Sequence, residues 1–219
     1  MKGDRLIIED CHKKAACQTG KLVLSRITGD TGKYVITIAG ESGSGKSEIA
    51  SALSDILTGQ GISNSILQQD DYFVYPPKTN ENMRRNNIAH VGMGEVRLDL
   101  LDRNLRDFLD GVTEITKPLV IFEQDTITEE QINLEGIRTV IVEGTYTTTL
   151  KNVQCRVFID RTYIDTRESR KRRARETQDN FLERVLEIEH NIISSHRIWA
   201  DIIINRDYDA GVNTNREVA

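Results

Sequence analysis

Aromatic side chains are scarce, 5% of the 219 residues, which argues against a stacking platform for single-stranded nucleic acid. A surplus of positive charge is missing as well. The formal net charge is −5, so nothing draws the whole chain to nucleic acid or to an anionic membrane. Any bound anion must be held by a local site. No apolar run approaches the roughly eighteen residues of a membrane span. The opening MKGDRLIIEDCHKK lacks the apolar run of a secretory signal, and the expected location is the cytoplasm. Cys11, Cys17 and Cys155 are the only cysteines and form no CxxC pair, which points to reduced thiols rather than a disulfide or zinc framework. No internal repeat or low-complexity linker divides the chain, and its length suits one domain. Hydrophobic residues at 38% and charged residues at 29% describe an ordinary globular protein with a substantial core.

Apolar β-rich runs alternate with helical patterns, the βαβ signature of a parallel sheet flanked by helices, an α/β fold. Tyr34 to Ala39 (YVITIA) reads as a buried strand. Lys46 to Leu57 reads as a helix with Ile49, Leu53 and Ile56 on one face. Ser65 to Gln68, Thr139 to Val142, Arg156 to Ile159 and Ile202 to Ile204 are further strands. Val96 to Leu109 is a helix stopped by Asp110-Gly111. Asp165 is placed to cap a basic helix running through Arg175. A long helix is expected from Asn180 to His196, burying Phe181, Val185, Ile188 and Ile192. Residues 1–33 are expected to be an N-terminal extension, with Leu22 to Ile27 pairing with the next strand as a β-hairpin, and residues 34–219 the main domain. Tyr75 to Val91, with Pro76-Pro77 and many Asn, reads as a long loop, a feature usually functional or mobile.

The strongest local signal is Gly40-Glu41-Ser42-Gly43-Ser44-Gly45-Lys46-Ser47. It matches G-x-x-x-x-G-K-[ST] between a predicted strand and a predicted helix, the context such a motif requires. Glycines let backbone N–H groups close around a phosphate, and the following helix aims its positive end at the same anion. Gly40, Ser42, Gly43, Ser44, Gly45, Lys46 and Ser47 are the expected nucleotide cradle. Lys46 would reach the β- and γ-phosphates of ATP and Ser47 would hold Mg²⁺.

Ligands of open α/β sheets bind beyond the carboxyl ends of the strands. There the chain carries Asp70-Asp71-Tyr72 after one strand and Glu143-Gly144 after another. One acid must take the proton of an attacking hydroxyl and another must help hold Mg²⁺. Asp70 is the expected base with Asp71 as the alternative, and Glu143 is the expected metal partner, through water. Arg167, Arg170, Lys171, Arg172, Arg173 and Arg175 crowd one helical stretch. Such a stretch can act as a lid that brings cations to a migrating phosphate.

In this order of features the chain resembles the uridine kinase/phosphoribulokinase family. GESGSGKS is followed by QQDDYF, like the family's Asp-x-[Phe/Tyr]-[Tyr/Phe] segment, and by NIAHV, similar to the Asn-x-x-His-Pro segment of uridine kinases. KPLVIF, VIVEGTY, DTRESRKRRARE and ADIII match the Lys-Pro segment, the Glu-Gly strand end, the arginine lid and the final strand. The resemblance spans about residues 34–206. It implies a P-loop NTPase fold with a five-stranded parallel core, ATP and Mg²⁺ as cofactors, a small-molecule hydroxyl acceptor and frequent homo-oligomers. It also implies Asp70 as base, Ser47 and Glu143 at the metal, and Arg167, Arg170 and Arg175 in the lid. The departures concern the acceptor. Gly92-Met93-Gly94-Glu95 stands where family uridine kinases carry Asp-Ala-Phe-Asp, and Val120 takes the place of the tyrosine after Lys117-Pro118. HVGMGEVRLDLL looks as much like phosphoribulokinases, so a nucleoside, a sugar, a sugar phosphate or another metabolite all remain open. Asp71, Tyr72, His90 and Glu95 are the expected acceptor contacts.

Two other classes compete. A guanine-nucleotide switch would carry NKxD, and Asn205-Arg206-Asp207-Tyr208 comes nearest but lacks the last Asp. A non-catalytic or regulatory nucleotide-binding P-loop protein would have no need of both a base and a metal carboxylate.

Overall fold

The computed structural model describes residues 6–29, 32–173 and 179–216. Its main sheet has the order β2-β5-β1-β6-β7-β8. These strands are β1 (Tyr34–Gly40), β2 (Asn64–Gln68), β5 (Thr139–Glu143), β6 (Cys155–Ile159), β7 (Ile202–Ile204) and β8 (Ala210–Val212). The first five in that order pair in parallel, as expected, and β8 adds an antiparallel edge to β7. Every residue of β1 and of β5 is buried, which is why both read as continuous apolar runs rather than alternating ones.

Side chains alternate across β1. Tyr34, Ile36 and Ile38 enter a core with α1 (Asp10–Gly29) and α2 (Lys46–Gly59), through Ala15, Ala16, Val23, Ile27, Ile49, Leu53 and Leu57. Val35 enters the opposite core with α4 (Leu98–Leu109) and the two-stranded sheet of β3 (Glu114–Ile121) and β4 (Thr126–Asn133). α4 buries Leu101, Leu105 and Phe108 along one stripe.

Several expectations are corrected. Leu22 to Ile27 is no hairpin strand but the last part of the helix α1, which belongs to the same core as β1. The short apolar stretch after Gly20 suggested a strand; burial of Ala15, Ala16, Thr19, Gly20, Val23 and Ile27 along one helical stripe makes it helix instead. Gly20 lets α1 approach α2 closely, since a Cβ there would lie 3.1 Å from Ile56 Cγ2. Tyr75 to Val91 is not one long loop: it contains α3 (Pro77–Asn86), started by Pro77, whose fixed φ suits a first helical turn. The sequence stretches 114–121 and 126–133 form a hairpin that the strand survey left out. The long helix ends at Ile193 as α6 (Asn180–Ile193) and continues as a 3₁₀ segment, Ser194–Trp199. Its buried face is Leu182, Val185, Leu186 and Ile193, so only Val185 is shared with the expected set. The basic helix is α5 (Arg167–Arg173). Asp165 does not cap it; its Oδ2 accepts from the Thr162 N–H and hydroxyl, both at 2.9 Å.

Candidate active site

β1 feeds directly into the phosphate-loop motif. Gly40 closes the strand where a Cβ would sit 2.7 Å from Ser44 Oγ. Gly45, at φ 95°, is the left-handed residue that turns the chain into α2, a conformation costly for any residue with a Cβ. Lys46 donates from Nζ to the Glu41 carbonyl at 3.0 Å. Ser42, Gly43, Lys46 and Ser47 line a cavity of about 150 Å³ with Asp70, Glu143, Arg84, Arg170 and Glu189. Ser44 is buried behind the loop, its carbonyl accepting from the Tyr208 hydroxyl at 3.2 Å.

The expected acids separate into two kinds. β5 is hydrogen-bonded between β1 and β2, pairing Glu143 with Ile38 and with Gln68. Glu143 therefore stands beside the loop, and its Oε1 accepts from Ser47 Oγ at 3.0 Å and Gln68 Nε2 at 3.2 Å. Burial, and next the nearby Asp70 charge, push the Glu143 carboxyl up to about 7, against the pull of Lys46 and the Ser47 hydrogen bond. Asp70 follows β2 in a 3₁₀ turn, Gln69–Tyr72, and lines the same cavity. Its position is fixed by Gln69, whose Oε1 accepts from Tyr146 N at 2.7 Å. Gly144 permits this close packing, because a Cβ there would collide with the Gln69 side chain. Asp71 points the other way. It is buried, its Oδ2 2.7 Å from Lys117 Nζ and its Oδ1 accepting from Val120 N at 3.1 Å. Tyr72 is fully buried and accepts from Asn104 at 2.9 Å.

A second cavity of about 370 Å³ adjoins the first. Pro77, Lys78, Asn80, Glu81, Arg84 and Arg85 come from α3. Val120, Phe122 and Phe181 add apolar wall, and Asp70, Phe73, Leu182 and Val185 complete it. His90 lies behind this wall with its Nε2 3.1 Å from Asn80 Oδ1. Glu95 is fully buried and is paired with Arg84. Neither lines either of these two cavities.

Of the arginines expected in a lid, Arg170 is buried against Gly43, where a Cβ would meet its Cγ at 2.8 Å, and it lines the first cavity. Arg167 pairs outward with Glu183 at 3.0 Å, and Arg172 reaches Glu9 at 2.6 Å. Arg175 lies outside the described residues. Sequence reasoning missed Arg84, Phe122, Phe181 and Glu189, whose places depend on α3, the β3–β4 hairpin and the α6 face. It also missed the buried Glu41, whose Oε1 is 2.6 Å from His190 Nδ1.

Among the described residues no helix is long and apolar enough to cross a membrane. The chain is 30% identical over 189 residues to the bifunctional alpha-galactosidase/sucrose kinase AgaSK of Mediterraneibacter gnavus, an alignment covering 80% of this chain but 20% of that protein. It is also 30% identical over 185 residues to a uridine kinase of Macrococcus caseolyticus, covering 78% and 86% of the two chains. The fold is that of a solved structure described as a possible uridine kinase from Bacillus stearothermophilus. The TM-score is 0.63 at 19% identity, over 86% of this chain and 96% of the other. The model of the phosphoribulokinase/uridine kinase family matches residues 35–183. With that match and with 30% identity over 185 residues to a uridine kinase, the chain belongs to the phosphoribulokinase/uridine kinase family.

Proposed function

We propose that the protein transfers the γ-phosphate of ATP to a hydroxyl of an uncharged, polyhydroxylated small molecule, a nucleoside or a sugar. The observation carrying this reading is that the loop cavity and the α3 cavity meet at Asp70. A triphosphate on Lys46 and the loop amides would present its last phosphorus to an acceptor in the second cavity. Asp70, within reach of both, would take the hydroxyl proton as the acceptor oxygen attacks. The half-buried Ser47 hydroxyl and the buried Glu143 carboxylate form an all-oxygen donor set suited to Mg²⁺, directly or through water. When bound, the ion would offset charge on the phosphate oxygens. Arg170 would add a cation at Gly43, beside the phosphates.

The second cavity favours an uncharged acceptor. Arg85 is paired with both Glu81 and Asp179 and lies over the Phe181 ring, and Val120, Phe122 and Phe181 offer apolar surface. A phosphorylated sugar is the second reading, favoured by the exposed Lys78 at the rim.

The test is ADP release from MgATP across nucleosides, free sugars and sugar phosphates. Acceptor-dependent turnover with an uncharged compound is expected. Lys46→Ala should abolish it, and Asp70→Asn should cut it by roughly 10²–10⁴ while ATP still binds. Wild-type turnover by Asp70→Asn removes Asp70 from the base role, and guanine-only hydrolysis with no acceptor favours a switch.

A further inference from the structure

The two cavities share five lining residues: Asp70, Phe73, Arg84, Leu182 and Val185. Only Asp70 and Arg84 among them carry charge. The shared wall is where a phosphoryl group would pass from nucleotide to acceptor, so the one cation on it stands beside the reacting atoms. Its setting is unusual for an ordinary ion pair. Arg84 Nε contacts Glu95 Oε1, and its Nη2 donates to Glu95 Oε2 at 3.1 Å and to Glu189 Oε1 at 3.1 Å. Glu95 is fully buried and is itself held, accepting from Asn80 Nδ2 at 2.8 Å and Gly92 N at 2.7 Å. Gly92 takes φ 142°, a conformation nearly confined to glycine. A fully desolvated carboxylate is costly. Here it makes a two-point contact with the guanidinium, the geometry that fixes the plane of an arginine.

On the reading that the protein is a phosphotransferase, we propose that Arg84 is a further catalytic residue that holds the phosphoryl group in transit. Glu95, Asn80 and Glu189 are then the residues that position it. In the step itself the acceptor oxygen forms a bond to the γ-phosphorus as the bond from that phosphorus to the bridging oxygen breaks. The hydroxyl proton goes to Asp70, the electron pair leaves with ADP, and Arg84 meets the equatorial oxygens. This also gives Glu95 a role one step behind the acceptor rather than against it. Arg170 reaches the first cavity from α5, whereas Arg84 reaches it from α3, so the two cations come from separate elements.

The test compares wild type, Arg84→Lys, Arg84→Gly and the double variant Arg84→Met/Glu95→Met, which exchanges the pair for apolar side chains. The measurements are ADP binding, the acceptor-dependent kcat and KM with the best uncharged acceptor of the panel, and turnover with water alone as acceptor. ADP affinity should stay within about threefold while kcat falls about 100-fold in every variant. Added guanidinium should restore kcat to Arg84→Gly and leave wild type unchanged. A double variant that folds and keeps wild-type kcat would reduce Arg84 to a structural ion pair and overturn the proposal. So would a guanidinium response equal in Arg84→Gly and wild type. Loss of ADP affinity, or of all ATP turnover, in the wild type would sink the parent phosphotransferase reading first.

Discussion

Asp70 and Asp71 are neighbours with opposite surroundings, one on a cavity wall and the other locked to Lys117. Breaking a buried pair by removing one partner leaves an uncompensated charge and costs about 3–5 kcal/mol. Asp71→Asn and Lys117→Met should therefore lower stability in urea titrations by that order, while Asp70→Asn changes it by less than about 1 kcal/mol. Glu143 gives a pH signature of its own. Its folded-state value of about 7 lies above the ordinary carboxylate range, so the folded protein keeps a proton that the unfolded chain has released. Stability of the protein in chelator should thus fall as pH rises from the ordinary range through about 7 and level off above it. Glu143→Gln should remove that slope and raise stability at pH 8 by something on the order of 3 kcal/mol; an unchanged slope would mean another group carries it. That Asp70 and Glu143 would lie where β2 and β5 end was legible from the strand runs before them. Which of Asp70 and Asp71 faces the cavity was not, since that rests on Lys117 and Val120, distant in sequence.

At the scale of elements, the residues just beyond the ends of the parallel neighbours β2 and β5 pack tightly, the Gln69 side chain lying against Gly144. Gly144→Ala would push Gln69, and with it Asp70, away from Glu143. Overpacking at such a point costs roughly 1–3 kcal/mol. The variant should melt earlier and lose kcat more than ATP affinity. Normal melting and normal kcat would show that the contact between Gln69 and Gly144 relaxes freely. The parallel strands were readable because burial on both faces writes them as unbroken apolar runs. α3 was hidden because it is almost wholly polar, with only Asn80 buried, so no apolar period marks it. β4 (TITEEQIN) buries no residue and carries two glutamates, leaving little but an alternation to read. The second cavity is lined by α3, by Val120 and Phe122 of the β3–β4 hairpin and by α6, so it depends on the elements hardest to read, and the loop cavity was legible first.

For the whole molecule, the decisive surprise is α1. Its Ala15, Ala16, Val23 and Ile27 lie in one core with β1, α2 and β6. Removing residues 1–29 would expose that face of α2 and the sheet. Against a typical net stability of about 5–15 kcal/mol, the shortened chain should fail to give a cooperative unfolding transition by circular dichroism. A cooperative transition at wild-type denaturant concentration would mark α1 as dispensable. The family model begins at residue 35, so this support is supplied by sequence outside the matched region. It reaches the chemistry directly. His12 from α1 lies where a Cβ on Gly45 would meet its ring at 2.9 Å. The same ring packs edge-on against Tyr208, whose hydroxyl donates to Ser44. The back of the nucleotide cradle is thus clasped by segments from opposite extremes of the numbering. Loosening either one would be felt as weaker grip on phosphate, and a seated triphosphate would in turn tighten both.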